Sequence, residues 1–498
     1  MNSLPTKTES IIDMKNYQEE LIKLIRHRFG IKIHGSQIKE LNKIIIDACQ
    51  KFFCEPECYI NLLSESKDGC LILEDLMSRI TVGETYFFRD KHQMKLLQER
   101  ILPTIIKKKR NENNLSLRIW SAGCATGEEI YTIAIILTEL LPDIKKWKLQ
   151  LLGTDINTIA LKNASKGSYN EWSMRSISDY YKKNYFQKDN NHRYAILEKI
   201  LPLVDFDYLN LNDNTYPSIF NGTNAQDLII CRNVLIYFNE ENIQHIMKRF
   251  SACLIEGGYL LLGSSDPIYI KEANLSFIDS SLFMHKTIEK TTIHQEKNHI
   301  INPTIATTKE IKNKVKEKTP LPVSAKLAPE ITDEIITSYI KNGCFQEALK
   351  AIDLYENSHK QNRVFVLNSK ATILANLGNL DEAIKLCEMS IKIDSTNIET
   401  HFILAMALIE INKIYAAEKE LRKVIFLNNK FVEAHFQLGL LLLRAKKHDS
   451  GIKSLHNAVQ IAKGRDPGEP VSGFQGLNYG RLTEILQREL ELHTTQKG

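Results

Sequence analysis

Between residues 115 and 287, short apolar runs alternate with longer segments whose apolar positions recur every three or four residues. The runs at 117–120, 149–153, 204–208, 228–231 and 259–263 are short and continuous, as strands buried on both faces of a sheet are. Helical segments separate several of them, which predicts a mostly parallel sheet with helices on both faces. Upstream, residues 11–80 read as helical. YQEELIKLIRHRFG and IKELNKIIIDACQKFF carry apolar residues at helical spacing, and Gly30 supplies a C-terminal stop to the first.

A different period governs the second half. IKNGCFQEALKAI, NLGNLDEAIKLC, EINKIYAAEKEL and RAKKHDSGIKSL align on the small residues Ala348, Ala383, Ala417 and Gly451, spaced 35, 34 and 34 apart. A second small-residue track, Ala371, Ala405 and Gly439, repeats every 34 residues. Two helices per 34-residue unit, with small residues where the helices touch, is the tetratricopeptide pattern. Stacked units bury their apolar faces only against neighbours and leave a concave groove suited to peptides. Residues 288–330 are rich in Lys, Thr, Glu and Pro and poor in aromatics, so that stretch reads as a flexible linker. The expected layout is a helical domain over 11–90, an α/β Rossmann-like domain over 91–287, the linker, an all-α repeat solenoid over 331–464 and a tail with a final helix over 465–498.

Composition narrows the class. At 498 residues the chain exceeds one compact core. Its net charge is +5 with Lys and Arg dispersed, which argues against nucleic acid as a partner. The N-terminus has no apolar h-region and no run approaches about 18 apolar residues, so neither a secretory signal nor membrane insertion is expected. The nine cysteines form no paired framework. Cys54 and Cys58 lack a second pair or a His cluster to complete a metal site, so reduced thiols, a cytoplasmic location and no metal are expected. Cys124 and Cys231 read as small packing residues.

Four stretches carry candidate chemistry. RIWSAGCATGEEIY (118–131) runs from a strand through a turn of small residues into a helix, the order of a nucleotide-type crossover. Glu128 and Glu129 at the helix start suit its dipole but repel a pyrophosphate. They suit a ligand with a cationic end, such as the ammonium and sulfonium of S-adenosylmethionine; an ordinary strand–helix turn is the alternative. In GTDIN (153–157), Asp155 can accept both ribose hydroxyls of an adenosyl group or cap the following helix. It lies 32 residues after Gly123, farther than the usual interval of about 20. In DLIICRNVLIYF (227–238), Arg232 and Asn233 end a buried strand at the edge where open sheets bind ligands, or are a polar strand end. Tyr237 alone is a packing aromatic. In TVGETYFFRD (81–90), Phe87 and Phe88 read as core, while Arg89 is either a site residue or a surface ion pair.

Taken in order, these stretches resemble the CheR family of chemotaxis receptor methyltransferases over roughly residues 15–287. The shared elements are a helical N-terminal domain, Thr-x-Phe-Phe-Arg, Trp-Ser-Ala-x-x-x-Thr-Gly-Glu-Glu, an Asp at a strand end and Cys-Arg-Asn-Val-x-Ile-Tyr-Phe. The resemblance implies that Thr85 and Arg89 reach an S-adenosylmethionine site. It implies that Gly123, Glu128 and Glu129 hold the methionine end, Asp155 the ribose, and Asn210 and Leu211 the adenine. Arg232, Asn233 and Tyr237 would line the pocket near the transferred methyl, with Arg89 and Tyr237 orienting the acceptor. Gly83 departs from an Asn seen in several members, Ile130 from a Pro, and the GSSD run at 263–266 from a Gly-His-Ser-Glu. The expected activity is protein-glutamate O-methylation of a chemoreceptor-like protein, with a further protein partner in the repeat groove. An S-adenosylmethionine-binding scaffold acting through its repeats is the alternative.

Overall fold

The computed structural model describes residues 7–33, 35–65, 71–81, 83–189, 192–269, 275–278, 283–286, 331–358, 362–469, 471 and 479–494. The expected linker over 288–330 and part of the tail lie outside these.

The first helices, Lys7–Phe29, Gly35–Phe52, Pro56–Glu65 and Leu71–Ile80, close around Leu21, Ile25, Phe29, Leu41, Ile45, Tyr59 and Leu63. Gly30, at φ +70°, ends the first helix, a conformation in which a side chain is strained. The chain then pairs with a distant segment: Ile31 bridges Phe238, and the Lys32 amide donates to the Tyr237 carbonyl at 2.7 Å. That bridge fixes the helical unit against the sheet.

The strands are β1 (Ser116–Ala122), β2 (Lys148–Asp155), β3 (Ser168–Tyr169), β4 (Phe186–Lys188), β5 (Tyr194–Ile196), β6 (Val204–Tyr208), β7 (Gln226–Cys231), β8 (Leu254–Leu262), β9 (Leu275–Phe277) and β10 (Phe283–Lys286). Seven of them form one sheet in the order β6-β2-β1-β7-β8-β10-β9. β6, β2, β1, β7 and β8 run parallel, and β10 and β9 close the edge antiparallel. From β1 the chain winds outward to β2 and β6, then returns to β7 on the other side. The order reverses there, and the crevice outside the carboxyl ends is where such sheets bind ligands. Alternate residues of β1 serve opposite faces: Ile119 belongs to one core and Trp120 to the other.

A second sheet, β3-β5-β4, is antiparallel and was not anticipated from the sequence. Its strands are two or three residues long, too short for a period to register. Phe87 anchors it, edge-on to Tyr169 at 4.8 Å and to Phe186 at 4.9 Å.

The repeats form helix pairs: Asp333–Lys341 with Phe345–Ser358, Arg363–Asn376 with Leu380–Ile393, Ile398–Glu410 with Ile414–Leu427, and Val432–Arg444 with His448–Lys463. Tyr479–Thr494 covers the last pair through Leu482 and Leu486. The small residues sit at helix contacts: a Cβ on Gly439 would meet Leu455 at 2.6 Å, and one on Gly451 would meet Leu443 at 2.8 Å. The repeats also pack directly on the sheet region. Ile219 is buried in their core, and Arg118 of β1 pairs with Glu410.

Trp120 is fully buried, packs edge-on against Tyr216 and Phe250, and donates from Nε1 to Thr154 Oγ1 at 2.9 Å. Trp120→Ala should lower stability by about 3–5 kcal/mol, measured by urea unfolding.

Candidate active site

β1 delivers the chain into a turn that only small residues can make. Gly123 and Gly127 have φ of +77° and +87°, and Ala125 is also left-handed at 48°. A Cβ on Gly123 would lie 2.5 Å from Val234, so glycine is required for space as well as for φ. The Gly123 and Cys124 amides donate to the Thr154 carbonyl at 2.8 and 2.9 Å, which ties the turn to β2.

The two glutamates that follow have opposite fates. Glu128 turns away: its carboxylate accepts from Thr126 Oγ1 at 2.6 Å and Ser173 Oγ at 2.9 Å. It is buried beside the small sheet, and burial raises its pKa despite these hydrogen bonds. Its expected place in the ligand site is therefore corrected; successive helical residues point about 100° apart and cannot both face one cleft. Glu129 borders the cleft. It accepts from Ser121 Oγ at 2.7 Å and pairs with Arg232 at 3.2 Å.

Asp155, at the end of β2, borders the same cleft. Its two oxygens accept from the Ala125 and Asn157 amides, each at 2.8 Å. Burial raises its pKa, and those amides oppose the rise. A carboxylate has about four lone-pair sites, so capacity for a ligand remains beside these two amides and that of Ile156. The capping of the helix Thr158–Lys166 falls to Asn157, which accepts from the Ala160 amide at 3.0 Å.

Arg232 borders the cleft, but its guanidinium is spent on the protein. Nε donates to Gln93 Oε1 at 2.8 Å, one terminal nitrogen to Glu129 at 3.2 Å and the other to the Arg89 carbonyl at 2.8 Å. Its side chain is 3% exposed. It is a cross-tie, not a free cation. Asn233, at φ 57°, and the turn to Tyr237 are held by Asp266, which accepts from the amides of Asn233, Gly263 and Ile236 at 2.5, 2.9 and 3.3 Å. Gln93 and the role of Asp266 carry no local signal, because Gln93 acts on Arg232, 139 residues away, and Asp266 on Asn233, 33 residues away.

Arg89 and Tyr237 both border the cleft, near enough for the Arg89 charge to act on the phenol. Arg89 donates to the Glu84 carbonyl at 2.8 Å. Burial raises the Tyr237 pKa, with the Arg89 charge pulling the other way. Thr85, Leu211, Asn233 and Asn210 also border the cleft. The Asn210 side-chain amide is committed, donating to the Arg28 carbonyl and to Asp213 at 3.2 and 2.9 Å. The helical unit contributes Ile31, Ile80 and Thr81, which no motif signalled.

Comparison with known proteins accounts for this arrangement. A chemotaxis protein methyltransferase of Borreliella burgdorferi is 34% identical over 261 residues, covering 51% of this chain and 89% of that protein. The chain belongs to the chemotaxis protein methyltransferase family. Residues 83–284 match the family described as CheR methyltransferase, SAM binding domain, and residues 366–397 match a tetratricopeptide repeat. Other relatives are a probable chemotaxis protein methyltransferase of Rhizobium etli, 31% identical over 209 residues, 41% of this chain and 75% of that one. Chemotaxis protein methyltransferase 1 of Pseudomonas aeruginosa is 34% identical over 200 residues, 39% of this chain and 70% of that one. As a member of this family the chain is an S-adenosylmethionine-dependent methyltransferase fused to tetratricopeptide repeats. No helix among the described residues is long and apolar enough to cross a membrane.

The two glutamates give a direct test by calorimetry with S-adenosylmethionine. Glu129→Gln should weaken binding by about 1.5–3 kcal/mol, as for a lost hydrogen bond to a charged group. Glu128→Gln should leave affinity within about 0.5 kcal/mol, because its carboxylate has no face on the cleft.

Proposed function

We propose that the protein transfers a methyl group from S-adenosylmethionine to glutamate side chains of a chemoreceptor-like protein, forming methyl esters. The observation that carries this reading is the polarity of the cleft. Two carboxylates, Glu129 and Asp155, and an arginine and a phenol, Arg89 and Tyr237, line the one cleft. It fits a cationic amino-acid end at Glu129, a ribose diol at Asp155 and an adenine beside Leu211. The small-residue turn at Gly123 and Ala125 lets backbone approach the ligand where a side chain would block it.

When bound, S-adenosylmethionine supplies a methyl group on a positively charged sulfur. The protein's task is then alignment. A glutamate side chain is ionised at neutral pH, so the site needs no strong base, and none stands in the cleft. Arg89 is placed to pair with the incoming carboxylate and aim one oxygen inward. Burial keeps Tyr237 a phenol at neutral pH, so its hydroxyl can donate a hydrogen bond to the other oxygen. Ile31, Ile80 and Val234 wall the cleft with apolar surface, which keeps water from competing for two opposite charges. Fixed geometry of this kind supplies most of the acceleration such a reaction needs.

The decisive measurement is transfer of tritiated methyl from S-adenosylmethionine to membranes bearing the organism's own chemoreceptors, scored as base-labile methanol. Arg89→Ala should cut transfer by about 100-fold or more with circular dichroism unchanged. Near-normal turnover would return Arg89 to a surface charge. A second variant tests the fit of the cofactor. A Cβ at Gly83 meets nothing within 4 Å, so Gly83→Asn should fold normally. It should tighten S-adenosylmethionine binding by about 0.5–1.5 kcal/mol, the worth of one added hydrogen bond.

A further inference from the structure

The groove expected to receive a partner already has an occupant. Residues 215–225, the loop before β7, reach into the face of the repeats built by the first helix of each pair. Ile219 is buried among Ala371, Ala375 and Phe402, and Phe220 stacks on Phe402 at 5.4 Å with the rings 4° from parallel. The Ile219 amide donates to Asn376 Oδ1 at 2.8 Å. Beside the loop, the Arg118 guanidinium meets the Glu410 carboxylate, and Lys148 lies 3.6 Å from the same carboxylate. Burial pushes the Glu410 pKa up, but Arg118 and Lys148 together bring it below the ordinary value.

Three features mark this as recognition. First, the loop holds its own shape: Ser218 and Thr223 exchange hydrogen bonds at 3.0 and 3.2 Å, and Asn221 donates to the Thr215 carbonyl at 2.9 Å. It is a preorganised ligand that presents Ile219 and Phe220 at its tip. Second, the two groups that meet the catalytic side are periodic: Asn376 and Glu410 each end the first helix of their pair, 34 residues apart. Third, the Arg118 charge is prepared for its partner: its other terminal nitrogen donates to the Gly222 carbonyl and to Asn224 Oδ1 at 3.1 and 2.8 Å, and its Nε donates to the Asn224 carbonyl at 3.1 Å.

Position also excludes a simple recruiting arm. Arg118 and Lys148 lie at the amino ends of β1 and β2, and the cleft lies beyond their carboxyl ends. A ligand in the docked groove is therefore a strand's length, about 20 Å, from Asp155 and Gly123.

We propose that the groove is a self-docking site whose resident ligand is the 215–225 loop. The partner it can take in trans is a protein segment of the same chemistry, an aliphatic–aromatic pair beside a guanidinium, which must displace the loop to bind. This inference is independent of the methyl-transfer reading, because neither face touches the cleft.

Hydrogen exchange on the full-length chain tests the resident contact, and binding of a labelled peptide of residues 215–225 with an arginine added at its end tests the trans site. The wild-type chain should protect the Ile219 amide and the helix Ile398–Glu410. Glu410→Gln and Asn376→Ala, both on the repeat side, should raise exchange of the 215–225 loop at least tenfold. Ile219→Asp/Phe220→Ser, which withdraws the loop's tip, should bind the peptide at least tenfold more tightly than wild type. If that double variant misfolds by circular dichroism, Phe220→Ala, which alters only the loop side, takes its place in the peptide assay. Free exchange of the Ile219 amide in wild type, or equal peptide binding by wild-type and altered chains, would overturn the proposal.

Discussion

The site hangs on one buried guanidinium. Arg232 reaches Gln93, Glu129 and the Arg89 carbonyl, and so joins segments that the chain keeps apart: the Thr-x-Phe-Phe-Arg stretch, the helix after it, the start of the helix behind the glycine turn and the end of β7. Gln93 in turn donates to the Leu262 carbonyl at 2.9 Å, carrying the tie to β8. A buried ion pair is a poor source of net stability, but removing one partner leaves the other charge uncompensated and costs about 3–5 kcal/mol. The tie works as a constraint. It fixes where Arg89 stands relative to Glu129, and so fixes the distance between the two ends of the cleft.

That constraint explains a division among charged residues which motif reading alone could not make. Arg89 and Arg232 look equivalent as candidates for the pocket. In the structure one is locked and the other has a single contact to the Glu84 carbonyl besides its approach to the Tyr86 ring. The acidic pair divides likewise, Glu129 toward the cleft and Glu128 toward Ser173. The arginines differ in how many protein hydrogen bonds they make; the glutamates, with two side-chain partners each, differ in direction. The same reasoning applies to Asn210, whose side chain is already satisfied, so its contribution to the cleft wall does not include a free amide.

What was legible in the sequence was whatever local periodicity or local conformation dictates. The parallel strands showed as continuous apolar runs because both their faces are buried. The repeats showed because Ala348, Ala383, Ala417 and Gly451 must stay small where helices touch. The turn at Gly123 showed because positive φ and a 2.5 Å approach to Val234 leave only glycine. Illegible were features set by contacts between distant segments. The small sheet has strands too short for a period. Gln93 and Asp266 act on residues 139 and 33 positions away. The direction of Glu128 depends on Ser173, 45 residues on.

The relation between the catalytic and repeat regions belongs to that second class, and it changes how the fusion is understood. Read along the chain, a Lys- and Thr-rich stretch suggests two bodies that act separately. Yet Ile219 and Phe220 form an adjacent apolar pair that, without the repeats, would lie open at the surface beside Arg118, and Glu410 would lose Arg118 and Lys148. Each surface is costly alone and satisfied by the other. The contact falls on the amino ends of β1 and β2 and on the loop entering β7, the three strands whose carboxyl ends carry Gly123, Asp155 and Arg232. Docked repeats thus brace the sheet from the end opposite the cleft and leave the cleft's mouth uncovered. A docked groove so placed is suited to sensing a second protein while the first is being methylated, and unsuited to presenting the methyl acceptor itself.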